Sequence, residues 1–384
     1  MLRRQIQLLA IVAAVVLAAA VNPALACTGI RVRPQDGSII SARTLEFGTD
    51  LHSSLIVIPR NQQYTGTAPG GKPGLKWSTR FGMTGTNALG LPHICDGLNE
   101  KGLGMGLFYF PEYAGYQPAT EETADKTLAP WELTTYLLGA CSTVDEAIAA
   151  AREVRVVSVA LAQFGSECPP VHYVLHDATG RCAVLEYVGG ELRVHDNPLG
   201  VFSNAPTFDW HLTNLRNYLN LLVDSAPPMD LSGLRLTPFG QGDGMHGLPG
   251  DFTPPSRFVR AVAFTQSAIP VTTATEGVRQ VFHLLNQFDI PKGLNREMQQ
   301  GQTTVEYTSW TSASDLTNRR FYFHTYDDRQ VRCIDLKGVD LDSGKIATIP
   351  MDGVTRFEDL TPQVSKGVSA EATSTTAAGS TVKE

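Results

Sequence analysis

The sequence lacks most of the patterns that announce a metal, a nucleotide or a nucleic acid. Its six cysteines contain no Cys-x-x-Cys pair, and no His-Glu-x-x-His motif occurs. A paired-cysteine zinc site and a metalloprotease centre therefore have no foundation. His172 and His176 stand four apart on a strand-like segment without a carboxylate motif, and His93 and Cys95 are isolated from other ligand types. No metal is expected. Gly102, Gly104 and Gly106 make a weak glycine pattern with no following helix and acidic residue at the dinucleotide spacing, so no nucleotide cofactor is expected. There is no Gly-x-Ser-x-Gly nucleophile elbow. Positive charge is also short: 31 Lys and Arg face 38 Asp and Glu, a formal charge of −7. An acidic chain excludes nucleic acid as the main partner, because phosphate binding needs clustered cations. Beyond the first 26 residues no apolar run is long enough to span a bilayer.

What is present starts at the amino terminus. Arg3 and Arg4 precede an almost wholly apolar stretch from Leu8 to Val21, Asn22-Pro23 ends it, and Ala24-Leu25-Ala26 is a small-x-small cleavage signal. These are the parts of a secretory leader over residues 1–26. Cleavage after Ala26 exports the chain to the periplasm or the exterior, takes the charge to −9 and leaves cysteine first. Such a Cys27 carries a thiol and a free α-amine within one side chain's reach. The amine has an ordinary pKa of about 7.7–8.0, so it can serve as base toward its own thiol. Two other readings compete. A lipoprotein anchor wants Leu three residues before the Cys, where Ala24 stands, and a plain buried cysteine near a chain end asks for nothing further.

The composition, 42% hydrophobic and 18% charged, is that of an ordinary soluble globular protein, long enough for a large core. Strands are expected at Thr28–Val32, Ser38–Arg43 and Ser54–Pro59, with Asp36-Gly37 as a hairpin signal. Residues 60–75 read as a loop, and a second β region runs over 79–110. Pro130 opens a helix over 131–138, and Thr143 with Glu146 forms a capping box for the next. Strands return at 171–176 and 182–187, and the segments 191–195 and 201–204 continue that sheet. Helices follow at 256–266 and 276–287, then strands at 304–310, 319–326 and 331–336. Runs of strands and runs of helices point to sheets with helices outside. The domain is expected over 27–360. The tail 361–384, rich in Ser, Thr, Ala and Gly, is expected to be disordered.

A thiol that attacks an amide needs a cation near the sulfur, a carboxylate that holds the base, donors for the oxyanion and an apolar acyl pocket. Arg43 and Glu46 lie at the end of the first hairpin, which returns them beside its start. A surface ion pair is the plainer reading of both. Asn204, before Ala205-Pro206, reads either as a turn residue or as a side-chain amide donor. Arg257 follows a Gly/Pro-rich loop at a helix start, where it opposes the dipole and so calls for another partner; a surface role stays open.

Together these segments resemble the choloylglycine hydrolase family, which holds conjugated bile salt hydrolases and penicillin V acylases within the N-terminal nucleophile hydrolases. The matching strings are Cys27-Thr28-Gly29-Ile30, Ala42 to Phe47, Asp96 to Leu103, Ser203 to Leu212, Gly247 to Phe258 and Tyr307 to Trp310. The resemblance implies a four-layer αββα sandwich. It implies Cys27 as nucleophile with its α-amine as base, Arg43 beside the thiol, and Arg257 as a second arginine positioning it. It implies Asn204 and the backbone N–H of Tyr109 as oxyanion donors, and a carboxylate at Glu46 holding the α-ammonium. The family usually carries Asp where Glu46 stands. Bile salt hydrolases commonly carry Asn, and penicillin V acylases Tyr, where Tyr109 stands. The long loop from Gly240 to Pro254 resembles the intersubunit loop of tetrameric members, implying a homo-oligomer. The implied substrate is a small amide with an apolar acyl group: a conjugated bile acid first, penicillin V or an N-acyl homoserine lactone as alternatives. A lipid-anchored, non-catalytic binding protein is the rival of another class, and a member weakened by Glu46 a further one.

Overall fold

A computed structural model describes residues 26–299 and 302–365. The expected leader, apart from Ala26, and residues 366–384 lie outside the described residues. In chain order the strands are β1 (Cys27–Val32), β2 (Ile40–Phe47), β3 (Ser54–Ile58), β4 (Gln63–Ala68), β5 (Lys72–Ser78), β6 (Met83–Thr86), β7 (Asp96–Asn99) and β8 (Leu103–Tyr109). Then come β9 (Thr127–Leu128), β10 (Arg155–Val156), β11 (Val171–Asp177), β12 (Cys182–Val188), β13 (Glu191–Asp196), β14 (Met229–Leu231) and β15 (Leu234–Leu236). The last are β16 (Asn295–Gln299), β17 (Gln302–Asp315), β18 (Arg320–Thr325), β19 (Arg332–Asp335) and β20 (Ala347–Pro350). The α-helices are α1 (Leu133–Ala140), α2 (Val144–Glu153), α3 (Phe208–Asn214), α4 (Pro254–Ser267), α5 (Ala274–Leu285) and α6 (Thr361–Ser365).

Sheet one runs β1-β2-β17-β18-β19 with β16 paired to β17; sheet two runs β13-β12-β11-β8-β7-β6-β3-β20. Alternation along single strands assigns the layers. On β11, Val174 joins the core shared with sheet one, while Tyr173 and Leu175 join the core under α1 and α2. On β12, Val184 faces the first core and Ala183 and Leu185 the second. Helices α4 and α5 pack on β1, β2 and β17, and α1 and α2 on β8 and β11. The result is the expected αββα sandwich. The central strands β11 and β12 bury side chains on both faces because both faces are covered.

Local signals behave as expected at several ends. Thr143 accepts the Glu146 N–H at 3.2 Å and caps α2, and Thr273 with Glu276 forms a full capping box on α5. Three expectations change. Residues 60–75 are not a loop but most of the β4–β5 hairpin. Its glycines serve close packing: a Cβ on Gly66 or Gly74 would stand 2.5 or 2.4 Å from the Thr127 carbonyl oxygen. Segment 201–204 does not continue sheet two. It crosses over and makes a single bridge to β1, with Gly29 and Phe202 exchanging hydrogen bonds at 2.8 and 2.9 Å. Finally, 361–365 form the short helix α6, whereas the whole tail was expected to be disordered.

Candidate active site

The β1–β2 hairpin aligns Cys27 with Leu45 and returns Glu46 beside Ala26. The neighbouring β17 lays Thr308 against Glu46 and then shifts register through a bulge before Trp310. The crossing segment brings Ser203 and Asn204 to the start of β1, and the first turn of α4 delivers Arg257. Four separate stretches of chain thus meet at Cys27, which is buried.

Arg43 donates through Nη2 to Cys27 Sγ at 2.7 Å and through Nη1 to the Leu107 carbonyl at 2.6 Å. Its guanidinium lies 3.9 Å from the Phe108 ring centroid and 5.4 Å from that of Trp310. Arg257 donates through Nη1 to the Cys27 carbonyl and to Thr28 Oγ1, through Nη2 to Asn204 Oδ1 at 2.8 Å, and through Nε to the Phe252 carbonyl at 2.9 Å. The unfavourable place at a helix start is therefore explained: its partners lie on β1 and on the crossing segment. Asn204 Oδ1 also accepts the Cys27 backbone N–H at 2.7 Å, while Nδ2 donates to the Tyr109 carbonyl at 2.8 Å. In this chain Ala26 is still attached, so the Cys27 nitrogen is a peptide N–H standing where the α-amine of a cleaved chain would be.

Glu46 is 1% exposed, accepts from Thr308 Oγ1 at 2.9 Å through Oε1, and has no hydrogen-bond partner at Oε2. Burial lifts its pKa to about 7; Arg257 and the Thr44 and Thr308 hydroxyls oppose the rise, and Glu306 reinforces it. Burial likewise raises the Cys27 thiol, Arg43 draws it down, Glu46 pushes it up again and Arg257 draws it down, leaving it above its ordinary value. The arginine beside the sulfur thus offsets only part of the desolvation.

Tyr109 ends β8. The Leu107 N–H goes to Cys95 and the Phe110 N–H to Pro170 on the other side. Strand alternation turns both the N–H and the C=O of Tyr109 toward the Leu107 side, where its carbonyl meets Asn204. Behind Asn204 stand two buried histidines. His211 Nε2 lies 2.9 Å from the Asn204 carbonyl, and His172 Nε2 lies 3.0 Å from that of Ser203. His172 Nδ1 is 3.1 Å from Glu186 Oε1, which also accepts the Phe208 N–H at 3.0 Å. Only an imidazolium satisfies both acceptors around His172, and burial works against that form. Glu186, His195 and Asp209 bring ligand-type atoms within 4.8 Å of one another. His195 stands 3.4 Å from Glu186 Oε2 and its pKa is raised by that carboxylate, an ion-pair geometry.

A pocket opens at Cys27, Arg43 and Glu46 and is otherwise walled by apolar side chains, among them Leu51, Leu107, Tyr109, Trp131, Leu161 and Phe164. Its apolar lining suits an apolar acyl group. All six residues singled out in the sequence meet around Cys27 or line its pocket. Sequence reading passed over Thr308, Glu306 and the Glu186–His172 pair. The signal for the first two was there: on the strand expected over 304–310, Glu306 and Thr308 share a face, and a glutamate on the inner face of a strand needs a reason.

Comparison with known proteins matches residues 27–349 to the linear amide C–N hydrolases of the choloylglycine hydrolase family. A bile salt hydrolase/transferase from Clostridium perfringens is 32% identical over 325 residues, 84% of this chain and 96% of that protein. A penicillin V acylase from Pectobacterium atrosepticum is 26% identical over 354 residues, 87% of this chain and 84% of its own length. Among solved structures, a variant of conjugated bile acid hydrolase from C. perfringens superposes with a TM-score of 0.77 at 28% identity, covering 87% of this chain and all of that one. Penicillin V acylase from Agrobacterium tumefaciens shares the fold with a TM-score of 0.69 at 22% identity, over 86% of this chain and 94% of its own. The chain belongs to the choloylglycine hydrolase family and is an amidohydrolase acting on linear amides.

Proposed function

We propose that the chain is exported, loses residues 1–26 and hydrolyses amides of apolar carboxylic acids through Cys27, with conjugated bile acids as the favoured substrates. The observation that carries this reading is the pairing of Arg43 Nη2 with Cys27 Sγ at 2.7 Å at the mouth of an apolar pocket. Sγ attacks the amide carbon while the α-amine of Cys27 takes the thiol proton. The oxygen gains negative charge, and the donors for it are the second N–H of Asn204 Nδ2 and the N–H of Tyr109, both at the same strand edge. Collapse breaks the C–N bond, and the α-ammonium returns its proton to the leaving amine. Water then attacks the thioester, the α-amine takes a proton from that water, the acid leaves and the thiol is restored. Arg43 and Arg257 hold the sulfur and the backbone of Cys27, and Asn204 Oδ1 orients the amine. Glu46 keeps a carboxylate near the ammonium.

Penicillin V is the second candidate. Its favouring observation is that Tyr109 and Trp131 present aromatic surface to the acyl group. The test is amine release from glycocholate and penicillin V side by side, with Cys27→Ala as control. Turnover of at least one, lost at least 1,000-fold (on the order of 4 kcal/mol) in Cys27→Ala, is expected. Near-normal turnover by a correctly processed Cys27→Ala would exclude the mechanism. Intact mass decides between a free Cys27 and an acylated, lipid-anchored one.

Assembly into a homotetramer is part of the same reading. Met229, Leu231, Leu234 and Leu236 on the β14–β15 hairpin and Phe239 beside it are all exposed, a cluster suited to a second copy of the chain. Light scattering on wild type and Leu234→Asp tests it: a tetramer that dissociates in the variant is expected, and a monomeric wild type rejects it.

A further inference from the structure

We propose that Glu306 is a positioning residue for the nucleophile: a second carboxylate beside Glu46 that faces the amino terminus of Cys27 and governs where its proton resides. The proposal rests on the reading of Cys27 as an amino-terminal nucleophile. Alternation on β17 sets Glu306 on the same face as Thr308, which stands opposite Glu46. Glu306 is 3% exposed. The N–H of Ala26, the residue joined to the nucleophile, points at its carboxylate, and Asn295 Nδ2 donates to Oε2. Its Oε1 has no hydrogen-bond partner, and neither has Glu46 Oε2. Two buried carboxylates close to the residue joined to the nucleophile each leave one oxygen unmatched.

Charge explains what those oxygens await. While Ala26 is attached, Glu46 and Glu306 share the Arg257 guanidinium, Arg43 beside the thiol also interacts with Glu46, and burial lifts both carboxyls to about 7. Glu297 on β16 adds a like charge, and Asp251 draws on Arg257 from its other side. Cleavage creates an ammonium group on Cys27, adding a cation beside the two carboxylates. An ionised Glu306 then favours the state in which the amine has already taken the thiol proton. Removing it leaves the amine a weaker base and the thiolate less populated.

The test is the rate of iodoacetamide alkylation at Cys27, followed by peptide mass from about pH 5 to about pH 9, on mature wild type, Glu306→Gln and Glu306→Asp. Intact mass confirms Cys27 as first residue, and thermal melting confirms the fold. For Glu306→Gln the apparent pKa of alkylation should fall by roughly one unit and the plateau rate several-fold, since an opposite charge within reach of an ammonium shifts it by that order. Glu306→Asp should recover part of both. A Glu306→Gln profile that superposes on wild type, with fold and terminus intact, overturns the proposal. If Glu306→Gln does not fold, the aspartate variant decides alone: a shifted profile supports the proposal and an unshifted one overturns it. Alkylation needs no substrate, so a wild type that turns over no amide would defeat the functional reading while leaving this result standing.

Discussion

Glu186 and Glu46 are equally buried carboxylates, at 0% and 1% exposure, and they behave in opposite ways. Burial pushes the Glu186 carboxyl up, but its contacts with His172 and His195 outweigh that and hold the pKa at about 2. Burial pushes Glu46 up with no full ionic partner of its own, and it reaches about 7. Depth is the same; the partners differ. Histidines stand at both Glu186 oxygens, His172 within hydrogen-bond reach of Oε1 and His195 3.4 Å from Oε2, and His172 in turn meets the Ser203 carbonyl. The fold leaves Glu46 with an unmatched oxygen beside the nucleophile. A carboxylate with a histidine at each oxygen reads as structure, and one with no such partner at its second oxygen as a group held ready for a charge.

The contrast yields ordered predictions. The largest concerns Glu186→Ala, which strands His172, His195 and the Phe208 N–H together. Losing one side of such a buried set costs roughly 3–5 kcal/mol, read as a fall in denaturation midpoint with unchanged m-value. A stability like that of wild type would break the comparison. Next is pH. The pKa of Glu46 is raised on folding, so its contribution is fully present below the ordinary glutamate range and is lost as pH rises through about 7. Glu186 has the opposite sign: its contribution is present above the ordinary range and lost only as pH falls through about 2. A chain retaining Ala26 should therefore lose stability between about pH 5 and about pH 8, and Glu46→Gln should flatten that slope by an order of 1–3 kcal/mol. Urea titrations across the range check it. The smallest effect belongs to the Thr308 hydroxyl. Thr308→Val should cost about 1 kcal/mol. Glu46→Asp, a methylene shorter and drawn off Thr308, should cost a similar amount without raising turnover. A clear gain in rate for the aspartate would favour the view that Glu46 weakens the enzyme.

Much of this was legible in the sequence, for identifiable reasons. Cys27, Arg43 and Glu46 are joined by one short hairpin, and hairpin pairing is a local rule. Arg257 revealed itself by an unfavourable place at a helix start. The two-sided burial of β11 and β12 was not legible in advance, because His172, His176 and Glu186 interrupt their apolar runs. Other features depended on distant chain. Segment 201–204 has strand composition in either sheet, and only the bridge to Gly29 decides which. Gly66 and Gly74 signalled a loop because a close approach to Thr127 leaves no mark in local sequence. Helix α3 starts within a segment whose Asn and Pro signal a turn, and that signal hid the seven helical residues beyond it. The unmatched oxygens of Glu46 and Glu306 exist only because two strands 260 positions apart in the chain lie side by side.

The aromatic enclosure of Arg43 carries one more consequence. Its guanidinium, packed against Phe108 and Trp310 and 2% exposed, is far less accessible to dissolved ions than a surface charge. Mobile salt shields exposed charges within about 10 Å at 0.1 M and far less readily those out of water's reach. The attraction between Arg43 and the sulfur should therefore weaken little from dilute buffer to brine, making the reactivity of Cys27 chiefly a property of the folded interior rather than of the ionic strength around it.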